Sequence, residues 1–466
     1  MTINDFWEER ILTALGFTPT PSQAECIKKL SAFLSSKEDR RTFLLNGYAG
    51  TGKTSLMSAV VKTLNDLEVP VVLLAPTGRA AKVLANYSNH PASSIHRYIY
   101  RQTSVYGNDF EIGYNKLKNA VFIVDEASMI SSFNDGGIFG SGSLIDDLID
   151  FVFQGEGCSL ILLGDTAQLL PVGQDYSPAL DPEFLRQYYL NTMSHTLCDV
   201  VRQANESGIL HNATLLRSAM EQETMPQLNV KPFKDVVRLP GDELVDAIYS
   251  SYDEYGEDSV VIVTRSNKRA TLYNKGIRNQ VLQREEELSN GDRLMVTRND
   301  YFWAEQYQGI DFIANGDMAE IVRLRKHHDL YGFRFVEATL QFSDYDMELD
   351  VMLLIDSLYA DSSQEMETLR QTLLSRVEED YMHISSKRER YKEMRKDKFL
   401  NALNVKFAYA VTCHKAQGGQ WDCVFVDSGI FNEEQLDASY WRWLYTAFTR
   451  AQKKVYLVNF LDKLFE

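Results

Sequence analysis

Leu44-Leu45-Asn46-Gly47-Tyr48-Ala49-Gly50-Thr51-Gly52-Lys53-Thr54-Ser55 is the stretch whose reading decides the fold. An apolar run, Phe43-Leu44-Leu45, leads into it, and a helical pattern (Leu56, Met57, Val60, Val61, Leu64) leaves it. The glycines therefore lie between a strand and a helix. In that setting they let backbone N–H groups turn inward around a triphosphate, and the helix adds the positive end of its dipole. Lys53 then reaches the β- and γ-phosphates, and Thr54 holds Mg²⁺. The spacing predicts a nucleoside triphosphate site made by Gly47, Tyr48, Ala49, Gly50, Thr51, Gly52, Lys53, Thr54 and Ser55.

A second landmark, Val121-Phe122-Ile123-Val124-Asp125-Glu126, is an apolar run ending in two acids. A buried parallel strand reads this way, and ligands bind at its carboxyl end. Asp125 is placed to hold Mg²⁺ through water, and Glu126 to orient or deprotonate the attacking water. A third run, Ser159 to Asp165, leads to Gln168, which either meets the γ-phosphate or is an ordinary polar turn residue. Strands at 43–45, 71–75, 121–124 and 160–163, with helical patterns between them, predict a doubly wound α/β sheet.

Composition bounds the rest. The chain has 466 residues, 44% hydrophobic and 24% charged, which suits a globular protein of two to four domains. No apolar stretch is long enough to cross a bilayer, and MTINDFWEER has neither the basic end nor the apolar core of a signal peptide. The five scattered cysteines include no C-x-x-C pair and read as free thiols of a cytoplasmic enzyme, with no zinc site expected. Forty-eight Lys and Arg against 65 Asp and Glu give −17. That balance argues against a broad DNA-coating surface and leaves room for a narrow channel holding one strand.

Further segments follow in a telling order: Ala75-Pro76-Thr77-Gly78-Arg79-Ala80-Ala81-Lys82, Ser94-Ile95-His96-Arg97, Val201-Arg202-Gln203-Ala204, Thr412-Cys413-His414-Lys415-Ala416-Gln417-Gly418 and Tyr445-Thr446-Ala447-Phe448-Thr449-Arg450-Ala451. With them the chain resembles the superfamily 1 DNA helicases of the RecD-like and Dda-like branch, which moves 5′ to 3′. The resemblance covers almost the whole length. It implies ATP and Mg²⁺ as cofactors and single-stranded and tailed duplex DNA as partners. It implies DNA contacts at Pro76, Thr77, His96, Thr412 and His414. Lys53, Asp125, Glu126, Gln168, Arg202 and Arg450 become the catalytic set, the two arginines arriving at the γ-phosphate only when two domains close. Gln23 would read adenine, although Thr20-Pro21-Ser22-Gln23 also reads as the capped start of a helix.

The expected layout is two RecA-like parallel-sheet domains with a small β-hairpin pin and an inserted small β-barrel plus helical extension. The first domain takes 1–97 and 118–200, with the pin at 98–117. The second takes 201–289 and 405–466, interrupted by the barrel at 290–355 and a charged helical extension at 356–404. In the pin, aromatic residues either stack on bases or pack the hairpin onto the core. In the barrel, Arg298 and Asn299 are candidates to touch the strand, and Asn315-Gly316 reads as a turn. The extension could brace the pin, act as a solvated spacer or offer a surface to another protein. Two rival functions are a translocase that remodels nucleoprotein without unwinding and a phosphotransferase built on the same loop. The phosphotransferase has no use for the 412–418 and 445–451 segments.

Overall fold

The computed structural model describes residues 2–102, 110–133, 140–199, 207–307, 312–342, 347–360, 362–430 and 432–465. The phosphate-loop strand, Arg41–Gly47, lies between Ser159–Gly164 and Asn191–Leu197 in a six-stranded parallel sheet. Beyond Ser159–Gly164 the sheet continues through Val121–Val124, Val71–Ala75 and Ala92–Ser94. Alternate residues of these strands enter two separate cores. Leu44, Leu74, Phe122, Val124, Leu160 and Leu162 face one, and Phe43, Leu45, Leu73, Ile123, Ile161 and Leu163 face the other. Burial on both faces is why the runs are continuously apolar rather than alternating. The register, with Asn46 opposite Gly164 and Val124 opposite Leu162, lines up the carboxyl ends that carry the loop and the acids.

A second parallel sheet runs in the order Ala410–Thr412, Val260–Thr264, Trp421–Asp427, Ala451–Val458 and Val236–Leu239. Its Val261, Val263, Val424 and Val426 join one core, and Val260, Ile262, Cys423 and Phe425 another. The helices Gly208–Gln222 and Ala438–Phe448 pack on the first of these.

The inserted barrel has five strands: Arg293–Val296, Met318–Leu330, Phe333–Phe342, Met347–Leu354 and Leu403–Phe407. Gly316, with φ +98°, makes the expected turn before the second. The barrel does not end near 355 as expected, because its last strand lies past the charged run. Leu403 and Val405, 1% and 0% exposed, alternate with Asn404 and Lys406 and close it. The helices Ser363–Asp380 and Lys387–Met394 are thus an excursion within the barrel, between its fourth and fifth strands. They are no solvated spacer: Leu373, Val377 and Met394 are buried in the barrel core. The pin's two strands, Tyr100–Gln102 and Phe110–Ile112, pair antiparallel; its expected tip, within 103–109, lies outside the described residues.

Leu373→Ala should cost about 2–5 kcal/mol of stability, the range for a buried leucine whose site cannot collapse. Chemical denaturation checks it; a loss under about 0.5 kcal/mol would mean that the helix is not docked.

Candidate nucleotide cleft and nucleic-acid face

Glycine suits the phosphate loop at three positions. Gly50 and Gly52 have φ of +76° and +81°, and a Cβ on Gly47 would lie 2.8 Å from Lys53 Cγ. Gly52 caps the helix Lys53–Asp66 without any side-chain bond, so the first-turn N–H groups remain available to an anion. The Lys53 ammonium donates to the carbonyls of Gly47 and, at 3.1 Å, Tyr48. The loop opens on a cavity of about 470 Å³, lined from the first domain by Tyr48 to Gly50, Gly52 to Thr54, Tyr87, Asp125, Glu126, Asp165 and Gln168. Gly418, Thr449 and Arg450 line it from the second.

Asp125 and Glu126 share that cavity but differ in their surroundings. Asp125 accepts hydrogen bonds from the Tyr87 hydroxyl and, at 2.8 Å, from the Glu126 N–H. Burial, and then the neighbouring Glu126 charge, raise its pKa. Glu126 holds a left-handed φ of +51°, a strained conformation for a residue with a side chain. Its carboxylate lies 3.5 Å from Arg450 Nη1. Arg450 is only 3% exposed, and it also donates to the carbonyls of Thr446 (3.1 Å) and Gly419 (3.3 Å) and to Thr449 Oγ1 (3.2 Å).

The same helix that carries Arg450 at its end locks the domains together. Tyr445 accepts from the Ala49 N–H of the phosphate loop at 2.9 Å and donates to Asp165 Oδ2 at 2.6 Å. Thr446 Oγ1 accepts from the Leu169 N–H at 2.8 Å, Gln417 Nε2 donates to the Leu169 carbonyl at 3.1 Å, and Arg442 donates to the Thr166 carbonyl. Gln168 lies in this seam, 6% exposed, with a buried Oε1 that has no partner among the described residues.

On the neighbouring face, Thr77 caps the helix Gly78–Ser88 through the Ala80 N–H. Gly418 closes against it: a Cβ there would lie 2.7 Å from the Ala80 Cβ and 3.3 Å from Thr77 Oγ1. Pro76 and Thr77 of the first domain therefore adjoin the 412–418 segment of the second. Thr412 begins the turn Cys413–Ala416, and His414 is exposed on it. His96 packs on Tyr100, and burial pushes its pKa down to about 4, so at neutral pH it is an uncharged imidazole. Nearby, Phe110 at the pin base packs on Tyr301 of the barrel with the rings tilted and their centroids 4.6 Å apart, and Tyr301 packs likewise on Phe312 at 5.4 Å. Tyr100 and Phe110 are 4% and 5% exposed, so these pin aromatics pack the hairpin onto the core.

Models of an AAA domain and of a UvrD-like helicase C-terminal domain match residues 19–231 and 407–458. The ATP-dependent DNA helicase dda of Enterobacteria phage T4 is 23% identical over 91% of this chain and 95% of its own length. The ATP-dependent RecD2 DNA helicase of Deinococcus radiodurans is 23% identical over 94% of this chain. The chain belongs to the superfamily 1 helicases. It spans 50% of the RecD2 protein and 37% of an uncharacterized Methanocaldococcus jannaschii protein, MJ1519, to which it is 22% identical over 91% of this chain. A Bacteroides Pif1 helicase crystallised with ADP-AlF3 and ssDNA superposes with a TM-score of 0.48, at 14% identity over 96% of this chain and 94% of that one.

Of the residues singled out in the sequence, Lys53, Thr54, Asp125, Glu126, Gln168 and Arg450 line one cleft. Gly47, Thr51 and Ser55 stand behind or beside the lining, and Arg202 lies outside the described residues. Gln23 departs from its expected role. It is 0% exposed, its Oε1 accepts from the Thr20 N–H and its Nε2 donates to the Thr51 carbonyl, both at 3.0 Å. The amide closes a capping box and braces the phosphate loop from behind, so it faces the loop rather than a base. Sequence reasoning missed Tyr87, Asp165 and Tyr445. Asp165 and Tyr445 stand inside quoted motifs, while nothing in the local pattern around Tyr87 marks it.

Tyr445→Phe removes one hydroxyl that serves the buried Asp165 carboxylate and the half-buried Ala49 N–H. The loss should be about 1–3 kcal/mol, the penalty for stranding buried polar groups. Thermal denaturation checks this, and steady-state ATP turnover should fall with it; unchanged stability and turnover would show that the bridge is idle.

Proposed function

We propose that this chain is an ATP-dependent DNA helicase that translocates 5′ to 3′ along single-stranded DNA and separates duplex DNA at its pin. One observation carries the reading: Arg450 of the second domain meets Glu126 of the first across the cavity that holds Lys53. Hydrolysis then depends on how the domains sit against each other, as a motor requires and a phosphotransferase does not. That dda and RecD2 are ATP-dependent DNA helicases supports DNA as the track.

ATP would lie with its phosphates on the 47–54 loop, Lys53 neutralising the β- and γ-oxygens. Thr54 and Asp125 offer hard oxygen ligands to the same cavity, which suits Mg²⁺ held by few protein groups and by phosphate oxygens. The ion would supply charge neutralisation at the β- and γ-phosphates. Glu126, released from Arg450, orients the attacking water, while Arg450 turns to the γ-phosphate and stabilises the charge that develops there. The Gln168 amide, with its free Oε1, is placed to register loss of that phosphate. Opening and closing of the seam at Tyr445 moves the 412–418 segment against Thr77, and alternate grip makes the step. His96 reads the strand as a neutral ring, and the pin, braced by Tyr301 and Phe312, wedges the junction. That brace favours unwinding over translocation alone. We also place the enzyme in the cytoplasm, with its cysteines as free thiols.

Lys53→Ala should abolish hydrolysis, whereas Glu126→Gln should bind ATP and stall; wild-type turnover by Glu126→Gln would remove it from the water-handling role. Arg450→Ala should lose hydrolysis by roughly a thousandfold, as for an arginine finger, while still binding single-stranded DNA. Loss of DNA affinity with retained turnover would assign Arg450 to the DNA channel instead.

Duplexes with either a 5′ or a 3′ single-stranded tail test polarity. Wild type should open the 5′-tailed substrate, and Phe110→Ala should translocate but fail to unwind. Unwinding of the 3′-tailed duplex alone would reverse the direction, and full unwinding by Phe110→Ala would show that the braced pin is no wedge.

A further inference from the structure

A second cavity, of about 340 Å³, lies between the barrel and the helical excursion. Arg298, Arg370, Lys392, Arg395 and Lys396 line it, against two carboxylates, Asp300 and Glu305. On a chain of net charge −17, this is a local reversal of sign. The rim cations are exposed, and two of them form helical ion pairs on the surface, Arg370 with Glu367 at 3.8 Å and Lys396 with Glu393 at 2.9 Å, which are worth little. Arg298 is different. It is half-buried, and among the described residues no carboxylate stands within ion-pair distance of its guanidinium. Burial, and then the charge of Arg370 across the cavity, push its pKa down, an arrangement that an anion between the two would relieve. Asp300 does little to offset them: its carboxyl is taken by the Trp303 N–H at 3.0 Å, and burial raises its pKa to about 7.

The position of this cavity says which anion. Asn299, next to Arg298, accepts from the Asn315 N–H at 2.7 Å, and Asn315 Oδ1 accepts from Lys415 of the 412–418 segment. Tyr301, three residues from Arg298, packs on Phe110 of the pin base. One loop therefore touches the expected DNA face, the pin and the cavity. The volume is near the lower end of the ~300–1,000 Å³ of ligand pockets, room for a phosphate and its sugar and not for a duplex.

We propose that the cleft between barrel and helical excursion binds the phosphate backbone of a single DNA strand beside the pin, with Arg298 on its floor and Arg395 on its rim. This rests on the helicase reading above. The strand is either the tracked one or the displaced one, both offering the same phosphodiester.

The test compares wild type with Arg298→Gln/Arg395→Gln, and with Arg298→Lys/Arg395→Lys, which keeps both charges. Affinity is measured against salt for a single strand, a 5′-tailed duplex and a fork with two arms. For the glutamine variant the slope of log affinity on log salt should become shallower by about 1.4, at ~0.7 per phosphate contact on a single strand. The lysine variant should keep most of the slope. A change on all three substrates identifies the tracked strand, and a change on the fork alone the displaced one. An unchanged slope on every substrate overturns the proposal. So does a lysine variant as defective as the glutamine one, which would mean a packing role, or wild-type stabilisation by inorganic phosphate with no effect on DNA. Wild type that binds no DNA at all would overturn the helicase reading as well.

Discussion

The Tyr445 hydroxyl, shared between the Ala49 N–H and Asp165, is the interaction on which the cleft depends. It belongs to the second domain, and both its partners belong to the first. One is part of the loop that would hold phosphate, and the other ends the strand beside it. Asp165 is 1% exposed and its pKa is raised by burial, so the hydroxyl is one of the few groups offsetting the cost of a charge there. The bond therefore forms fully only when the domains meet at one angle. Thr446, Gln417 and Arg442 repeat that requirement along the same seam.

Charge explains why such a seam can act as a switch. Asp125, Glu126 and Asp165 crowd the cavity, with Lys53 and Arg450 as the cations that line it. Arg450 is spent on Glu126, and Lys53 on its own loop. Neither partner is optimal: Arg450 reaches Glu126 only at 3.5 Å, and Glu126 holds a strained backbone. A γ-phosphate is a better ligand for both cations, so nucleotide redistributes pairs that already exist. On the other side, Tyr87 ties Asp125 to the helix that begins beside Thr77, a direct line from the expected strand contact to the expected metal ligand.

Much of this was legible in the sequence. Buried parallel strands advertise themselves as apolar runs, and the loop after the first has few other uses. The helix and barrel boundaries were harder. Leu403-Asn404-Val405-Lys406-Phe407 is a short alternation next to a charged helical run, and only its pairing with Arg293–Val296 marks it as a barrel strand. Gln23 misled because an amide suited to a base edge is equally suited to a capping box, and local geometry chose the latter. Tyr87 and Tyr445 could not be read because their roles come from partners 38 and 280 positions away. No periodicity encodes such pairs.

On the proposed reading, hydrolysis is gated by how the two domains close, and a strand across both sets the closure. Steady-state ATP turnover at saturating nucleotide, with and without single-stranded DNA, tests it most directly. Turnover should be slow alone, with Arg450 held on Glu126, and should rise sharply when a strand is added. Equal turnover in both conditions would mean that the cleft is complete without DNA, and would contradict the account.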